Sequence, residues 1–191
     1  MISSKEELKH YLESDKKSLW IDRKKPRFVG DEIWKFQILL RKVEYYKNIK
    51  LNPISKLKYY YTRYKFHKLS VKLGFSIPPN VFGPGLAIAH IGTIVVNDNC
   101  RVGKNCRIYQ NTGLGANTGG PTDVPKLGDN CYIGPGAKLF GDITIADNIS
   151  IGANSVVTKS FTQQGITVAG VPAKQISNVN SNESLMMKSA L

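Results

Sequence analysis

The chain has 191 residues, 41% of them hydrophobic, and a net charge of +13. That length suits one domain, or one domain with an appendage, and no apolar run approaches the length of a membrane span. The first thirty residues are too polar for a secretory signal, so the cytoplasm is the expected location.

The charge is unevenly placed. Residues 1–75 hold 19 Lys+Arg and 8 Asp+Glu, whereas residues 76–191 hold 8 and 6. A basic face is commonly just solvated. It also suits an anionic surface, such as phospholipid headgroups at the inner face of the cell membrane or a pyrophosphate-linked substrate. No nucleic-acid recognition motif accompanies it, so nucleic acid is not an expected partner.

Taken in order, residues 1–18 read as a short polar helix with Leu8, Tyr11 and Leu12 on one face. Residues 19–30, with Arg23-Lys24-Lys25-Pro26-Arg27, read as a loop. Asp31 reads as a helix cap, and Ile33, Phe36, Leu40 and Val43 carry the helix to about Lys47. Asn52-Pro53 starts another helix, with Leu57, Tyr60, Tyr64, His67 and Val71 as its stripe and Gly74 as its stop. The stretch Tyr59 to Lys68 is aromatic and basic all round. Core packing explains one of its faces; a subunit contact or a membrane interface explains the rest.

From Val96 the pattern changes. Aliphatic residues recur at every sixth position: Val96, Val102, Ile108, Leu114, then Leu127, Ile133, Leu139, Ile145, Ile151 and Val157. Four residues after most of them sits a second small or aliphatic residue: Cys100, Cys106, Thr112, Cys131, Ala137, Ile143, Ile149 and Ser155. This is neither a helical nor a two-residue period, and a fixed repeat signals a solenoid. The physical reading is short strands joined by tight corners, three units to a turn, with Gly and Asn supplying unusual backbone angles. All three cysteines fall on the corner position and read as small fillers, with no disulfide framework. Between Leu114 and Leu127 the interval is thirteen residues, one more than two repeats, and residues 116–125 should leave the wall as a loop. Three regions follow: a basic helical part at 1–75, the coil at 76–177, and a polar, flexible tail at 178–191.

The repeat resembles that of the hexapeptide-repeat acyltransferases, and within them the serine acetyltransferase group. The residues carrying the match are Gly83-Pro84-Gly85-Leu86-Ala87-Ile88-Ala89-His90, Gln110-Asn111-Thr112-Gly113-Leu114-Gly115, Ile133-Gly134-Pro135-Gly136-Ala137-Lys138, Ile151-Gly152-Ala153-Asn154-Ser155-Val156-Val157 and Val168-Ala169-Gly170-Val171-Pro172-Ala173-Lys174. The resemblance implies a mainly β fold, a left-handed parallel β-helix preceded by an α-helical segment. It implies a trimer with active sites between subunits, extended to a dimer of trimers if the helices pair. It also implies acetyl-CoA as co-substrate and no metal.

In that family the histidine matching His90 is the general base, and imidazole suits removal of an alcohol proton near neutral pH. The positions matching the coenzyme site are Ala116, Asn117, Pro135, Ala153, Lys159 and Lys174. Pro135 lacks an N–H, so only its carbonyl is available to a pantetheine arm, and Lys174 offers a point charge to phosphate. The acceptor half departs from the group. The Asp-Ile-His-Pro segment that orients the base is Ser76-Ile77-Pro78-Pro79 here, the Asp before the base is Ala89, and the Arg-His pair of the loop is Asp123-Val124. These positions supply no cation for an amino-acid carboxylate. The same coil and base with a different acceptor site resembles the polysaccharide O-acetyltransferases of capsule, exopolysaccharide and O-antigen pathways, which implies a sugar hydroxyl as acceptor, carried on a lipid. Serine is the alternative and a non-catalytic scaffold the second one. A zinc carbonic anhydrase is excluded, because it needs three coil histidines and only His90 is present.

Overall fold

A computed structural model describes residues 1–118, 120 and 122–180. Three helices come first: α1 (Lys5–Ser18), α2 (Glu32–Asn48) and α3 (Pro53–Leu73). Ser4 begins α1 with a reciprocal cap. Its hydroxyl accepts from the Glu7 N–H, and the Glu7 carboxylate accepts from the Ser4 N–H. Asn52 caps α3 by accepting from Ser55 N–H at 2.8 Å, and Gly74 stops it with a left-handed φ of 75°. Asp31 precedes α2 but makes no side-chain cap. Its carboxylate faces backwards, taking Arg23 and the Arg27 N–H.

The strands then follow as β1 (Phe75–Ser76), β2 (Ala87–Ile88), β3 (Ile94–Val96), β4 (Arg101–Val102), β5 (Arg107–Ile108), β6 (Thr112–Gly115) and β7 (Lys126–Leu127). The remainder are β8 (Tyr132–Ile133), β9 (Lys138–Phe140), β10 (Thr144–Ile145), β11 (Ser150–Ile151), β12 (Val156–Val157), β13 (Thr167–Gly170) and β14 (Ala173–Ser177). They form three sheets, in the orders β1-β3-β6-β9-β12, β10-β7-β4 and β14-β13-β11-β8-β5-β2. Every pairing is parallel except β13 with β14, which closes the coil as a hairpin. Successive strands visit the three sheets in turn, so the chain winds as a three-faced coil.

All ten repeat aliphatics point inward and are buried, as are the eight corner residues. Register stacks like on like: Ile88 on Ile108, Ile108 on Ile133, Ile133 on Ile151, and Ile151 on Val168. Each short strand buries little alone, so the stack supplies the stability. One corner is stitched by side-chain amides: Asn105 donates to Asn130 and Asn130 to Asn148, each at 3.0 Å. All three asparagines hold left-handed φ angles of 54–59°, which Asn tolerates better than most residues.

Leu114 and Leu127 lie on successive faces, because Leu127 pairs with Val102 on one sheet while Leu114 pairs with Val96 on another. The interval of thirteen residues is therefore one six-residue step plus seven extra residues, a longer excursion than two repeats and one residue. Its far end is anchored inside, with Val124 buried in the coil core.

The helical part is fastened to the coil by a buried polar clamp. Arg41 is wholly buried and donates to Asp15 (2.7 and 3.1 Å), Glu44 (3.0 Å) and the carbonyls of Phe82 (2.9 Å) and Gly83 (2.7 Å). Asp15 also accepts the N–H groups of Gly85 and Leu86, and Glu44 that of Asn80. Burial works against the Arg41 charge, and Asp15 and Glu44 more than offset it. A second tie runs from Arg107 to the Ser18 carbonyl, with its guanidinium over the Trp20 ring.

The stripe expected to pack α3 faces outward instead: Leu57, Tyr60, Tyr64 and Val71 are all exposed. The inward set is Thr62, Phe66, Leu69 and Leu73, with Phe66 stacked on Phe36 of α2. Apolar and aromatic residues lie on every face of α3, so periodicity alone could not choose between them. The expected tail lies outside the described residues from 181 onward. Residues 179 and 180 turn back to the coil, where Thr167 donates to the Val179 carbonyl and Asn180 to that of Asn148.

Candidate active site

Each turn of the coil passes from the β2-β5-β8-β11 face to the β3-β6-β9-β12 face through one edge. Four successive turns place there residues 89–93, 109–111, 134–137 and 152–155. These corners need backbone freedom, and Asn111, Gly136 and Asn154 take positive φ angles of 61°, 76° and 54°. His90 therefore projects from the first step of this edge, with Pro135 and Ala153 two and three steps along it. Parallel strands lie about 4.8 Å apart, which puts these corners roughly 10 and 14 Å from His90.

His90 is solvent-exposed, and among the described residues no side chain hydrogen-bonds its ring nitrogens. Its neighbour is Tyr109, with ring centroids 5.7 Å apart, and Tyr109 in turn lies 5.2 Å from Tyr132. Burial and the Tyr109 hydroxyl push the Tyr132 phenol well above its ordinary range, so Tyr132 remains a protonated donor near neutral pH. An imidazole with free nitrogens can accept a proton from an incoming hydroxyl. What flanks it is an aromatic ring rather than a carboxylate. Ser76, at the place of the family's orienting acid, is exposed on β1 beside Val95 and makes no bond to His90.

The face next to this edge carries a shallow groove lined by Thr93, Val95, Asn111, Gly113, Lys138 and Phe140. Lys138 crosses it to the Asn111 carbonyl and reaches the Gly136 carbonyl at 3.4 Å. Neither Tyr109 nor Lys138 was singled out for the site from sequence. Their signal was positional: Tyr109 follows an inward Ile108, and Lys138 precedes an inward Leu139, so both point out of the wall beside the edge.

The six candidate coenzyme positions separate into three places. Pro135 and Ala153 share the His90 edge. Ala116, Asn117 and Lys159 follow β6 and β12, and so lie on the next edge of the coil. Lys174 is exposed on β14, paired with Ala169. The Pro135 carbonyl accepts the Asn154 N–H at 2.8 Å, so the coil already uses the one backbone group that proline offers. Val124 is enclosed in the core and presents no side chain to an acceptor, while Asp123 is half-buried in the loop beside it. The three cysteines are buried and free, and burial pushes the Cys100 thiol up to about 11 and the Cys131 thiol up to about 12. Thiols held protonated are poor nucleophiles and poor ligands. Among the described residues no group of three or more His, Cys, Asp or Glu is placed to hold a metal ion, and no helix is long and apolar enough to cross a membrane.

Residues 125–159 match the family model of the bacterial transferase hexapeptide (six repeats). A serine acetyltransferase of Staphylococcus xylosus is 36% identical over 105 residues, covering 52% of this chain and 46% of that protein. A serine acetyltransferase of Staphylococcus aureus is 33% identical over 145 residues, covering 73% of this chain and 61% of that one. The chain thus spans about half to three fifths of the length of these relatives. Among solved structures, the serine acetyltransferase of Brucella abortus in complex with coenzyme A superposes with a TM-score of 0.70. It is 28% identical and covers 92% of this chain and 70% of its own. That of Neisseria gonorrhoeae in complex with serine gives a TM-score of 0.64 at 27% identity, covering 91% of this chain and 71% of its own.

A stacked three-faced coil with a six-residue inward repeat, preceded by helices, defines a hexapeptide-repeat protein. The relatives and solved structures that the chain resembles are serine acetyltransferases, built on the same repeat.

Proposed function

We propose that the protein is an acetyl-CoA-dependent O-acetyltransferase. The observation that carries this reading is the edge itself: an exposed His90 at its first step, followed by small, sharply turned corners at Gly134-Pro135-Gly136 and Gly152-Ala153-Asn154. His90 takes the proton of the acceptor hydroxyl as its oxygen attacks the thioester carbonyl. The carbonyl–sulfur bond then breaks and CoA leaves as its thiol. The pantetheine arm lies along the edge, with Ala153 beside it. Ala116, Asn117 and Lys159 belong to the neighbouring edge, so a trimer with the groove between adjacent subunits brings both sets to one coenzyme. Lys174 meets the phosphates. We take the coil as left-handed, as in the group it resembles, and the cell interior as the place where acetyl-CoA is met.

Serine is the acceptor that the relatives favour, both by their names and by the serine bound to the Neisseria gonorrhoeae protein. The polysaccharide acceptor expected from sequence finds no support among them. Lys138, on the face next to the His90 edge, supplies the cation that the family's loop positions lack here, and an amino-acid carboxylate would pair with it. Two observations keep a sugar hydroxyl in view: Val124 is sealed in the core, and His90 has no carboxylate partner among the described residues. Thiol release from acetyl-CoA, measured with serine and with free and nucleotide sugars in parallel, decides between them. Release with serine alone supports the reading. Release with a sugar alone replaces the acceptor, and no release with any hydroxyl overturns the enzyme.

A further inference from the structure

A broad groove on the helical part lies between the loop after α1 and the sides of α2 and α3. It encloses about 900 Å³. Its floor is apolar, formed by Ile38, Leu39 and Leu69. Its rim is a ring of seven lysines: residues 24 and 25 on the loop, 35 and 42 on α2, and 65, 68 and 72 on α3. No acidic residue lines it, and none of the seven is ion-paired among the described residues. Two of the ammonium groups lie over aromatic rings, Lys65 Nζ over Tyr61 at 4.7 Å and Lys68 Nζ over Tyr64 at 5.5 Å. At one end, Lys35 donates to the Phe28 carbonyl at 2.8 Å, fixing a loop tip on which Phe28 is 99% exposed and Val29 79%.

We propose that this groove docks the protein on an anionic phospholipid bilayer, with lipid phosphates among the lysines, acyl carbons over Ile38, Leu39 and Leu69, and Phe28-Val29 dipping below the headgroups. The argument is complementarity. An apolar floor alone would suit any hydrophobic partner, but seven unpaired cations around it select a partner that is anionic and amphiphilic together. A second copy meeting this face about a two-fold axis would set lysines against lysines. The exposed Tyr60, Tyr61 and Tyr64 suit a headgroup layer, where amphipathic rings and lysine stems both sit well. This face belongs to the helical part, and none of its lining residues belongs to the His90 edge.

The test is co-sedimentation of the full chain with phosphatidylcholine vesicles, with and without phosphatidylglycerol. Binding should require the anionic lipid and weaken steeply with salt. Each lysine near such a surface is worth about fivefold in partitioning, so the variant K35E/K42E/K68E should bind at least about a hundredfold more weakly. F28S should lose a smaller factor that salt does not change. Coenzyme A binding and circular dichroism of both variants should match wild type, since all four positions are surface ones. Equal binding to neutral vesicles, or no binding to anionic ones, overturns the proposal. So does self-association of the wild type that K35E/K42E/K68E abolishes without any vesicle binding, or capture of an acidic peptide in preference to vesicles.

Discussion

Replacing Arg41 by Met tests what joins the helical part to the coil. The guanidinium makes five hydrogen bonds, to two carboxylates and two carbonyls, from a site with no solvent exposure. Met fills much of the volume but leaves Asp15 and Glu44 as buried anions without their cation. Removing one partner of such a group costs about 3–5 kcal/mol. The loss should not exceed that range, because Asp15 keeps the N–H groups of Gly85 and Leu86, and Glu44 keeps that of Asn80. For a chain of this size each kcal/mol moves the melting temperature by about 2–4 °C, so R41M should melt roughly 6–20 °C lower. Thermal unfolding followed by circular dichroism measures this. The helical signal should be lost first, since the coil's own ladders do not pass through Arg41. Neutralising all three groups, as D15N/R41M/E44Q, should recover a large part of the loss. An R41M melting temperature within about 2 °C of wild type would refute the clamp, because that shift corresponds to only about 1 kcal/mol.

Replacing His90 by Ala should lower thiol release by about 10²–10⁴-fold with coenzyme A affinity unchanged, and equal turnover would remove it as the base. Tyr109→Ala should also slow turnover while Tyr109→Phe does not, if the ring that flanks His90 is what orients it; a wild-type rate for both breaks that idea. Asn130→Ala should cost about 2–3 kcal/mol, combining two lost half-buried amide hydrogen bonds with a left-handed backbone that Ala resists, as read from denaturant midpoints. The native cysteines should ignore a thiol reagent at pH 8, below the raised values of Cys100 and Cys131, and react at once in denaturant. Fast labelling of the native protein would contradict their burial.

The coil was determined by the sequence alone. Its repeat is local: every sixth residue is aliphatic because each short strand contributes one inward side chain, and every corner residue is small or aliphatic. Val96 through Val157 therefore announced their burial without reference to anything distant in the chain. The helix limits were equally local, since Asn52, Pro53 and Gly74 act within a turn of where they stand. His90 was found by what surrounds it in sequence, and its place on a corner follows from its distance to Ile88.

Tertiary structure decided the remainder. The Arg41 clamp joins Asp15, Glu44 and the carbonyls of Phe82 and Gly83, groups up to 42 residues from Arg41, and a surface Arg and a buried one look alike in a sequence. The outward turn of Leu57, Tyr60, Tyr64 and Val71 was hidden because α3 has apolar residues on every side, and only the position of Phe36 on α2 selects which of them packs. The seven-residue excursion before Leu127 passed as nearly two repeats until the register of Leu127 on Val102 assigned it a face. Lys138 beside the edge and Val124 inside the core were decided in the same way. Their neighbours lie on other turns of the coil, and the number of residues in a turn changes at the excursion, so which side chains meet depends on the stacking and not on the spacing.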